Sequence, residues 1–196
     1  MPHVADIPRV QSEIRPNEVA FWFKGEETTF AELDARANQV ANGLIALGVT
    51  PDQRVGYLAK NTAVYYEMMY GCGKASAVMN GVNTRLAAPE VQFILSDAQL
   101  RVLSGGPEWI EMFEQIKDDC PHLEHIITIE GAHEGWPEYT AWRDGQSSEP
   151  TGLTTLDDDD VIQLYTSGTT GLPKGVMLTN ANYESFLEQA GQLDWA

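Results

Sequence analysis

Residues 157–178, DDDDVIQLYTSGTTGLPKGVML, constrain the fold more than any other part of the sequence. An apolar run with a β-branched start follows the four acidic residues at 161–165 and predicts a buried strand. A second apolar run at 176–178 predicts a return strand. The residues between these runs must therefore form a loop that connects two elements of the core.

This loop, residues 166–175, combines four hydroxyl side chains, three glycines and one lysine. Glycine permits positive φ and close approach of the backbone to a ligand, and we expect this use at Gly168, Gly171 and Gly175. Free N–H groups in such a turn bind anions, and hydroxyls and an ammonium group add further donors. The loop is not a Walker A motif, because the GK[ST] ending and its helix are missing. The sequence predicts a polyphosphate-binding loop; the alternative is a flexible hairpin loop with one lysine.

The segment YTSGTTGLPKGVMLTN resembles the phosphate-loop signature of the adenylate-forming superfamily, which comprises acyl-CoA synthetases, aryl-CoA ligases, luciferases and peptide-synthetase adenylation domains. The resemblance starts near Thr29 and includes TFAELDARANQVANGLIALGV and GCGKASAVMNGVNTRLAAPEVQFILSDAQLRVL. Within the second stretch, NTRLAAPE followed by FILSDAQ is most similar to fatty-acyl-CoA synthetases. The chain resembles about the first third of such an enzyme.

The resemblance implies an enzyme that joins a carboxylic acid, most closely a fatty acid, to the α-phosphate of ATP. It then transfers the acyl group from the adenylate to coenzyme A. The residues that the resemblance assigns to the β- and γ-phosphates are Thr166, Ser167, Gly168, Thr169, Thr170, Gly171 and Lys174. It also implies that the Thr166 hydroxyl binds Mg²⁺. The adenine pocket, the second metal ligand, the ribose-binding aspartate and the catalytic lysine are expected beyond Ala196. We therefore expect no catalytic residue within the chain and no ATP turnover by these 196 residues alone.

Two other interpretations stay open. One is an adenylation domain of the same superfamily that loads a carrier protein instead of coenzyme A. The other is a non-catalytic module that binds nucleotide or protein through a retained loop. The sequence that follows residue 196 in the gene would discriminate among them.

Helical and strand patterns alternate along the chain, which predicts an α/β fold with a layered, mostly parallel sheet flanked by helices. The resemblance makes this the partial amino-terminal domain of an adenylate-forming enzyme. Thr29 and Glu32 predict a capping box for the first long helix, and Gly48 predicts its end. The expected organisation is an amino-terminal arm and hairpin at 1–28, an α/β subdomain at 29–130, a connecting segment at 131–156, and the start of the next sheet layer, with the loop, at 157–196.

The sequence patterns predict further strands and helices in the α/β subdomain and beyond it. Strands are expected at 54–59, 75–79, 100–103 and 125–130. Helices are expected at 63–72, 89–97, 108–118 and 183–189, with a helical turn at 139–143. Residues 1–20 show no clear period, and the four acids at 157–160 predict a solvated turn better than a metal site.

The formal charge of −17 opposes non-specific binding to nucleic acid or anionic lipid, so we expect neither partner. An ATP-like ligand must then be held by local donors and Mg²⁺. No window approaches a spanning helix, and the two cysteines do not suggest a disulfide framework. These observations lead us to expect a cytoplasmic protein, with Cys72 as buried filler. A homodimer is left open.

Overall fold

A computed structural model describes residues 3–131, 133–166 and 172–190 of the chain. Its helices are α1 (Ile7–Ile14), α2 (Phe30–Ala46), α3 (Ala63–Lys74), α4 (Ala88–Asp97), α5 (Ile110–Ile116), α6 (Tyr139–Asp144) and α7 (Asn180–Ala190). Its strands are β1 (Val19–Phe23), β2 (Glu26–Thr29), β3 (Arg54–Leu58), β4 (Val78–Gly81), β5 (Val102–Gly105), β6 (His125–Thr128), β7 (Asp160–Thr166) and β8 (Lys174–Thr179). Short 3₁₀ helices at Val4–Asp6, Pro107–Trp109 and Lys117–Asp119 adjoin α1 and α5.

The main sheet has six strands in the order β6-β5-β3-β4-β7-β8. Its neighbouring strands pair in parallel, apart from the antiparallel pair β7 and β8. β1 and β2 form a separate antiparallel hairpin. The predicted α/β fold with a mostly parallel sheet is therefore confirmed.

Apolar layers cover both faces of this sheet. On one face, Val55, Met79 and Ile162 pack with residues of α2, α3 and α6. On the other face, Leu58 and Leu103 pack with residues of α4 and α5. The two layers explain why the inner strands read as continuous apolar runs, as is usual for parallel strands that are buried on both sides.

The predicted start and end of α2 are confirmed. The Thr29 hydroxyl accepts a hydrogen bond from the Glu32 N–H at 3.2 Å, and the Glu32 carboxylate accepts one from the Thr29 N–H at 2.8 Å. Gly48 follows the helix with φ +79°, a left-handed conformation that favours glycine. After a short turn, the chain enters β3 at Arg54.

We expected an amino-terminal arm with no clear period at residues 1–20, but residues 4–14 are helical. Val4 and Ala5 are buried in the short helix that precedes α1, and the position of a Cβ on Gly73 lies 3.0 Å from that of Ala5. His3 hydrogen-bonds Thr155 at 2.8 Å and Asp157 at 2.9 Å. α1 is amphipathic, but its pattern extends over only eight residues, and sequence analysis missed it.

Several expected boundaries shift by a few residues. β4 begins at Val78 rather than at 75, because Ala75 caps α3 and Ser76 takes φ +53° in the turn that follows. β5 begins later than expected, after Gln99 at φ +53°. α7 begins at Asn180, where Thr179 and Asn182 exchange capping hydrogen bonds.

We expected residues 157–196 to open another sheet layer, but β7 pairs with β4 of the same sheet. The register Asn80↔Gln163 aligns two polar side chains that are buried, and this pairing is not visible in either strand alone. The segment before β7 contains α6, which packs with α2 on one face of that sheet. Where domain boundaries fall in the complete protein stays a prediction.

Candidate functional site

The hairpin of β7 and β8 lies at the carboxyl edge of the parallel sheet, where ligands of open α/β sheets bind. Thr166, the last residue of β7, is the register partner of Lys174, the first residue of β8. Cross-strand partners project on the same face, so the hydroxyl and the ammonium group share one side of the hairpin. Both side chains are exposed, and neither hydrogen-bonds or ion-pairs with another residue in the described part of the chain.

The structure therefore places two of the seven phosphate-contacting residues that the resemblance assigns. The other five lie outside the described residues: Ser167, Gly168, Thr169, Thr170 and Gly171. An exposed hydroxyl and an exposed ammonium group can bind an anion without first breaking a protein contact. This arrangement is what a polyphosphate site needs at the two ends of its loop.

Gly175 does not take the positive φ that we expected for it. It pairs with Tyr165 in the hairpin, and a Cβ at this position would lie 2.4 Å from the Gln163 side-chain nitrogen. The same Cβ would lie 3.2 Å from Cζ of Tyr165. Glycine is required here because two larger side chains of β7 occupy the space beside it.

A buried pair of amides joins β7 to β4 behind this hairpin. Asn80 donates from Nδ2 to the Gln163 side-chain oxygen at 3.1 Å, and the two residues are register partners. Asn80 is fully buried, and its Oδ1 makes no hydrogen bond with the described residues. Sequence analysis missed the pair. A polar residue within an apolar run, at Asn80 and again at Gln163, could have indicated it.

A cleft of about 470 Å³ opens between the hairpin and the start of α4. Its apolar lining comes from Leu86, Phe93, Ile94, Tyr165, Leu172, Pro89 and Pro173. Its polar lining comes from Asn83, Glu90 and Thr166. The apolar lining of the cleft therefore lies beside Thr166, a predicted phosphate-binding residue. A ligand with an apolar part and a phosphate group would need both features.

Tyr165 connects this hairpin to the carboxyl end of α4. Its ring packs against the apolar layer of α4 and α5, and its hydroxyl donates a hydrogen bond to Asp97 at 2.5 Å. Burial, and then the hydrogen bond to Asp97, raise the pKa of Tyr165 above its ordinary value. Sequence analysis did not find this contact, because the two residues are 68 positions apart.

The acidic run before β7 forms a turn, as predicted. Asp157 accepts a hydrogen bond from His3, and Asp159 accepts one from the Leu156 N–H at 2.7 Å. Within 3–131, 133–166 and 172–190, no group of three or more His, Cys, Asp or Glu residues could hold a metal ion. None of the helices in these residues has the length and apolar composition of a membrane span.

Cys72 is fully buried, and burial raises the pKa of its thiol to about 12. A thiol of that pKa is almost entirely protonated near neutral pH and is a poor nucleophile. Cys120 is also buried, and burial raises its pKa as well. The prediction that Cys72 is structural is confirmed.

A sequence model of the family described as AMP-binding enzyme matches residues 9–195. A fatty acid–[acyl-carrier-protein] ligase of Streptomyces coeruleorubidus is 36% identical over 183 residues, covering 92% of this chain and 34% of that protein. A feruloyl-CoA synthase of an Amycolatopsis species is 34% identical, covering 89% of this chain and 33% of that protein. A long-chain-fatty-acid–CoA ligase of Mycobacterium tuberculosis is also 34% identical, with coverages of 91% and 33%.

Solved structures agree with these relatives. An anthranilate CoA ligase in complex with anthranoyl-AMP superposes with a TM-score of 0.91 at 32% identity, covering 95% of this chain and 36% of that chain. A Mycobacterium tuberculosis fatty acyl CoA synthetase superposes with a TM-score of 0.87 at 28% identity, with coverages of 98% and 38%. The chain spans about a third of the length of the curated relatives that it matches.

Proposed function

Since the chain belongs to the AMP-binding enzyme family, we propose that it forms the amino-terminal part of an AMP-forming acyl-CoA ligase. The proposed enzyme activates a carboxylic acid, by preference a fatty acid, with ATP and passes the acyl group to coenzyme A. The observation that supports this best is the pairing of exposed Thr166 and Lys174 at the carboxyl edge of the sheet. An apolar cleft beside Thr166 supports an acid with a substantial apolar part.

The proposed role of the hairpin follows from the charge that moves during adenylation. A carboxylate oxygen forms a bond to the α-phosphorus, the bond from that phosphorus to the bridging oxygen breaks, and pyrophosphate leaves with the electron pair. Negative charge therefore grows on the leaving group, where fixed donors stabilise the transition state. We assign the Lys174 ammonium group, the Thr166 hydroxyl and residues 167–171 to these β- and γ-phosphate oxygens.

Thr166 fits the proposed role of a Mg²⁺ ligand. Its hydroxyl oxygen is exposed and makes no hydrogen bond to another described residue. Magnesium prefers oxygen ligands, and it commonly combines one or two protein groups with substrate phosphates and water. When bound, Mg²⁺ offsets charge on the polyphosphate. The chain itself has a formal charge of −17, so this compensation must be local.

One finding favours a second candidate acceptor. The relative that is 36% identical is named as a fatty acid–[acyl-carrier-protein] ligase, whereas other relatives are named as CoA ligases. A carrier-protein thiol in place of coenzyme A is therefore our alternative proposal. It leaves the adenylation step unchanged and alters only the second half-reaction.

Two further proposals concern the protein as a whole. We propose a cytoplasmic location, from the cysteine usage and the lack of an apolar segment of spanning length in the sequence. We also propose light scattering on the purified protein as the test of a homodimer, which the sequence leaves open.

The test of function is acid-dependent ATP–pyrophosphate exchange by the complete enzyme. We expect exchange with fatty acids as the first class of acid to test, with aromatic acids tested beside them, and no exchange from the 196-residue chain alone. Adding coenzyme A or a phosphopantetheine-bearing carrier protein to the isolated adenylate then distinguishes the two acceptors. Absence of exchange with every acid would refute the ligase and favour a non-catalytic module.

A further inference from the structure

The base of the predicted phosphate loop extends beyond the parallel sheet. β7 pairs with β4 only through Ile162, Gln163 and Leu164. The next residues, Tyr165 and Thr166, pair with β8, which is itself an edge strand among the described elements. Leu164 is 39% exposed and its partner Val176 is 44% exposed. Backbone pairing with the parallel strands therefore ends before the residues that should contact the nucleotide.

The side chain of Tyr165 connects this end of the hairpin to α4, where backbone pairing with the parallel strands has ended. Its ring lies against the layer of α4 and α5, and its hydroxyl donates to the carboxylate of Asp97, the last residue of α4. Among the described residues, this is the side-chain hydrogen bond that joins the pair of Tyr165 and Gly175 at the end of the hairpin to α4. Thr166 is the next residue in the chain, so the position of Tyr165 sets the position of the Thr166 backbone.

The opposite strand leaves room for this ring. Gly175 is the register partner of Tyr165, and a Cβ on it would lie 3.2 Å from Cζ of the ring. The ring therefore packs against the apolar layer of α4 and α5, and Gly175 on β8 lies beside it. Beside this packing, the hydroxyl-to-carboxylate hydrogen bond with Asp97 is the polar contact that the ring makes with the described residues.

We propose that Asp97 is a positioning residue for the nucleotide site, because its carboxylate, through the Tyr165 hydroxyl, sets the orientation of the hairpin that presents Thr166 and Lys174 to the polyphosphate. The inference rests on the proposed function. Asp97 touches neither Thr166 nor Lys174 in the described structure, so its effect on catalysis passes entirely through Tyr165.

The kinetic experiment compares variants of the complete enzyme. Asp97→Ala removes the acceptor, Tyr165→Phe removes the donor, and Asp97→Asn keeps an acceptor oxygen. Loss of one such hydrogen bond should raise KM for ATP by roughly three- to tenfold in Asp97→Ala and in Tyr165→Phe. Asp97→Asn should lie nearer the wild type. The double variant Asp97→Ala/Tyr165→Phe should be no worse than either single variant, because both remove the same contact.

The matched control is Tyr66→Phe, which also removes one tyrosine hydroxyl. Tyr66 is 44% exposed and stacks on Phe21, and its hydroxyl makes no hydrogen bond within the described residues. KM for ATP should not change in this variant. Thioester formation from supplied acyl-adenylate should be unaffected in the Asp97 and Tyr165 variants, since the polyphosphate has already left. Equal losses in both half-reactions, or additive losses in the double variant, would overturn the proposal.

A second readout separates this inference from the proposed function. Hydrogen exchange of the β7 and β8 amides should be faster in Asp97→Ala and Tyr165→Phe than in wild type or Tyr66→Phe. Unchanged exchange refutes the anchoring role, even in an enzyme that forms adenylates. Faster exchange in a protein that catalyses no ATP–pyrophosphate exchange supports the anchoring and refutes only the proposed reaction.

Discussion

Gly175 has no room for a side chain, because the Gln163 side-chain nitrogen lies 2.4 Å from the position that its Cβ would occupy. Gln163 cannot easily move aside, since it is buried and its oxygen accepts a hydrogen bond from Asn80. The need for glycine at position 175 therefore comes from packing against β7 and not from a positive φ.

Gly175→Ala should destabilise the protein by about 1–3 kcal/mol, the usual cost of forcing extra atoms into packed space. The denaturant midpoint of the purified protein measures this. Gly145→Ala is the matched control, because a Cβ there would meet backbone oxygens at 3.5 Å and 3.6 Å, which are ordinary contacts. Similar midpoints for the two variants would show that Gln163 does not confine this position.

In the complete enzyme, Lys174→Ala should slow adenylate formation at least about tenfold, and leave thioester formation from supplied acyl-adenylate nearly unchanged. The reason is that the proposed partner of the ammonium group is pyrophosphate, which is absent from the second half-reaction. Thr166→Ala should act on the same step and should also weaken the dependence of the rate on Mg²⁺ concentration. Rapid-quench measurement of each half-reaction provides the comparison.

The control for Lys174→Ala is Lys117→Ala. Lys117 lies before β6 at the other end of the sheet and pairs with Glu114 at 2.8 Å. Its removal should change neither half-reaction. If Lys174→Ala slowed both half-reactions equally, the polyphosphate role of Lys174 would be wrong.

Local sequence signals predicted the helices and strands of this fold well. They could not predict contacts between residues that are far apart in the sequence. The capping box at Thr29 and Glu32 is contained within four residues, so the sequence identifies it directly. The contact of Tyr165 with Asp97 spans 68 positions and requires the folded sheet. The five loop residues 167–171 stay a prediction, since they lie outside the described residues.

Glu67 illustrates the same difference. α3 consists mostly of apolar residues, yet Glu67 in the middle of this helix is only 1% exposed. Its carboxylate accepts hydrogen bonds from Arg143 at 2.7 Å, Tyr139 at 2.8 Å and Arg36 at 3.3 Å. A lone acid within an apolar helix was a signal for such a cluster, but its partners on α2 and α6 could not be read from the sequence.

Glu67→Ala should destabilise the protein by about 1–3 kcal/mol, because the buried Tyr139 hydroxyl and one Arg143 nitrogen lose their acceptor, while Arg143 keeps its pair with Asp144. Glu67→Gln keeps an acceptor oxygen and should cost less. Glu114→Ala, which breaks a partly exposed pair with Lys117, should cost at most about 1 kcal/mol. Thermal unfolding of the three variants tests the order, and a Glu67→Ala loss as small as that of Glu114→Ala would contradict it.

The capping box of α2 should make stability depend on pH through Glu32. Hydrogen bonds from the Thr29 backbone and then from its side chain lower the pKa of Glu32 below its ordinary value in the folded protein. A carboxyl whose pKa is lowered on folding adds stability above its unfolded pKa and loses that contribution as the pH falls through the folded value. The contribution is small because the side chain is 48% exposed and screened by solvent.

Glu32→Gln keeps the capping geometry but cannot ionise, so it isolates the effect of charge. The difference in urea midpoint between wild type and Glu32→Gln should be largest near pH 7 and should shrink below about pH 4.5. In a Thr29→Ala background, which itself should cost about 1 kcal/mol, the pH dependence of that difference should be weaker because one hydrogen bond to the carboxylate is gone. A difference that stays constant with pH would mean that the ionised form of Glu32 does not stabilise the start of α2.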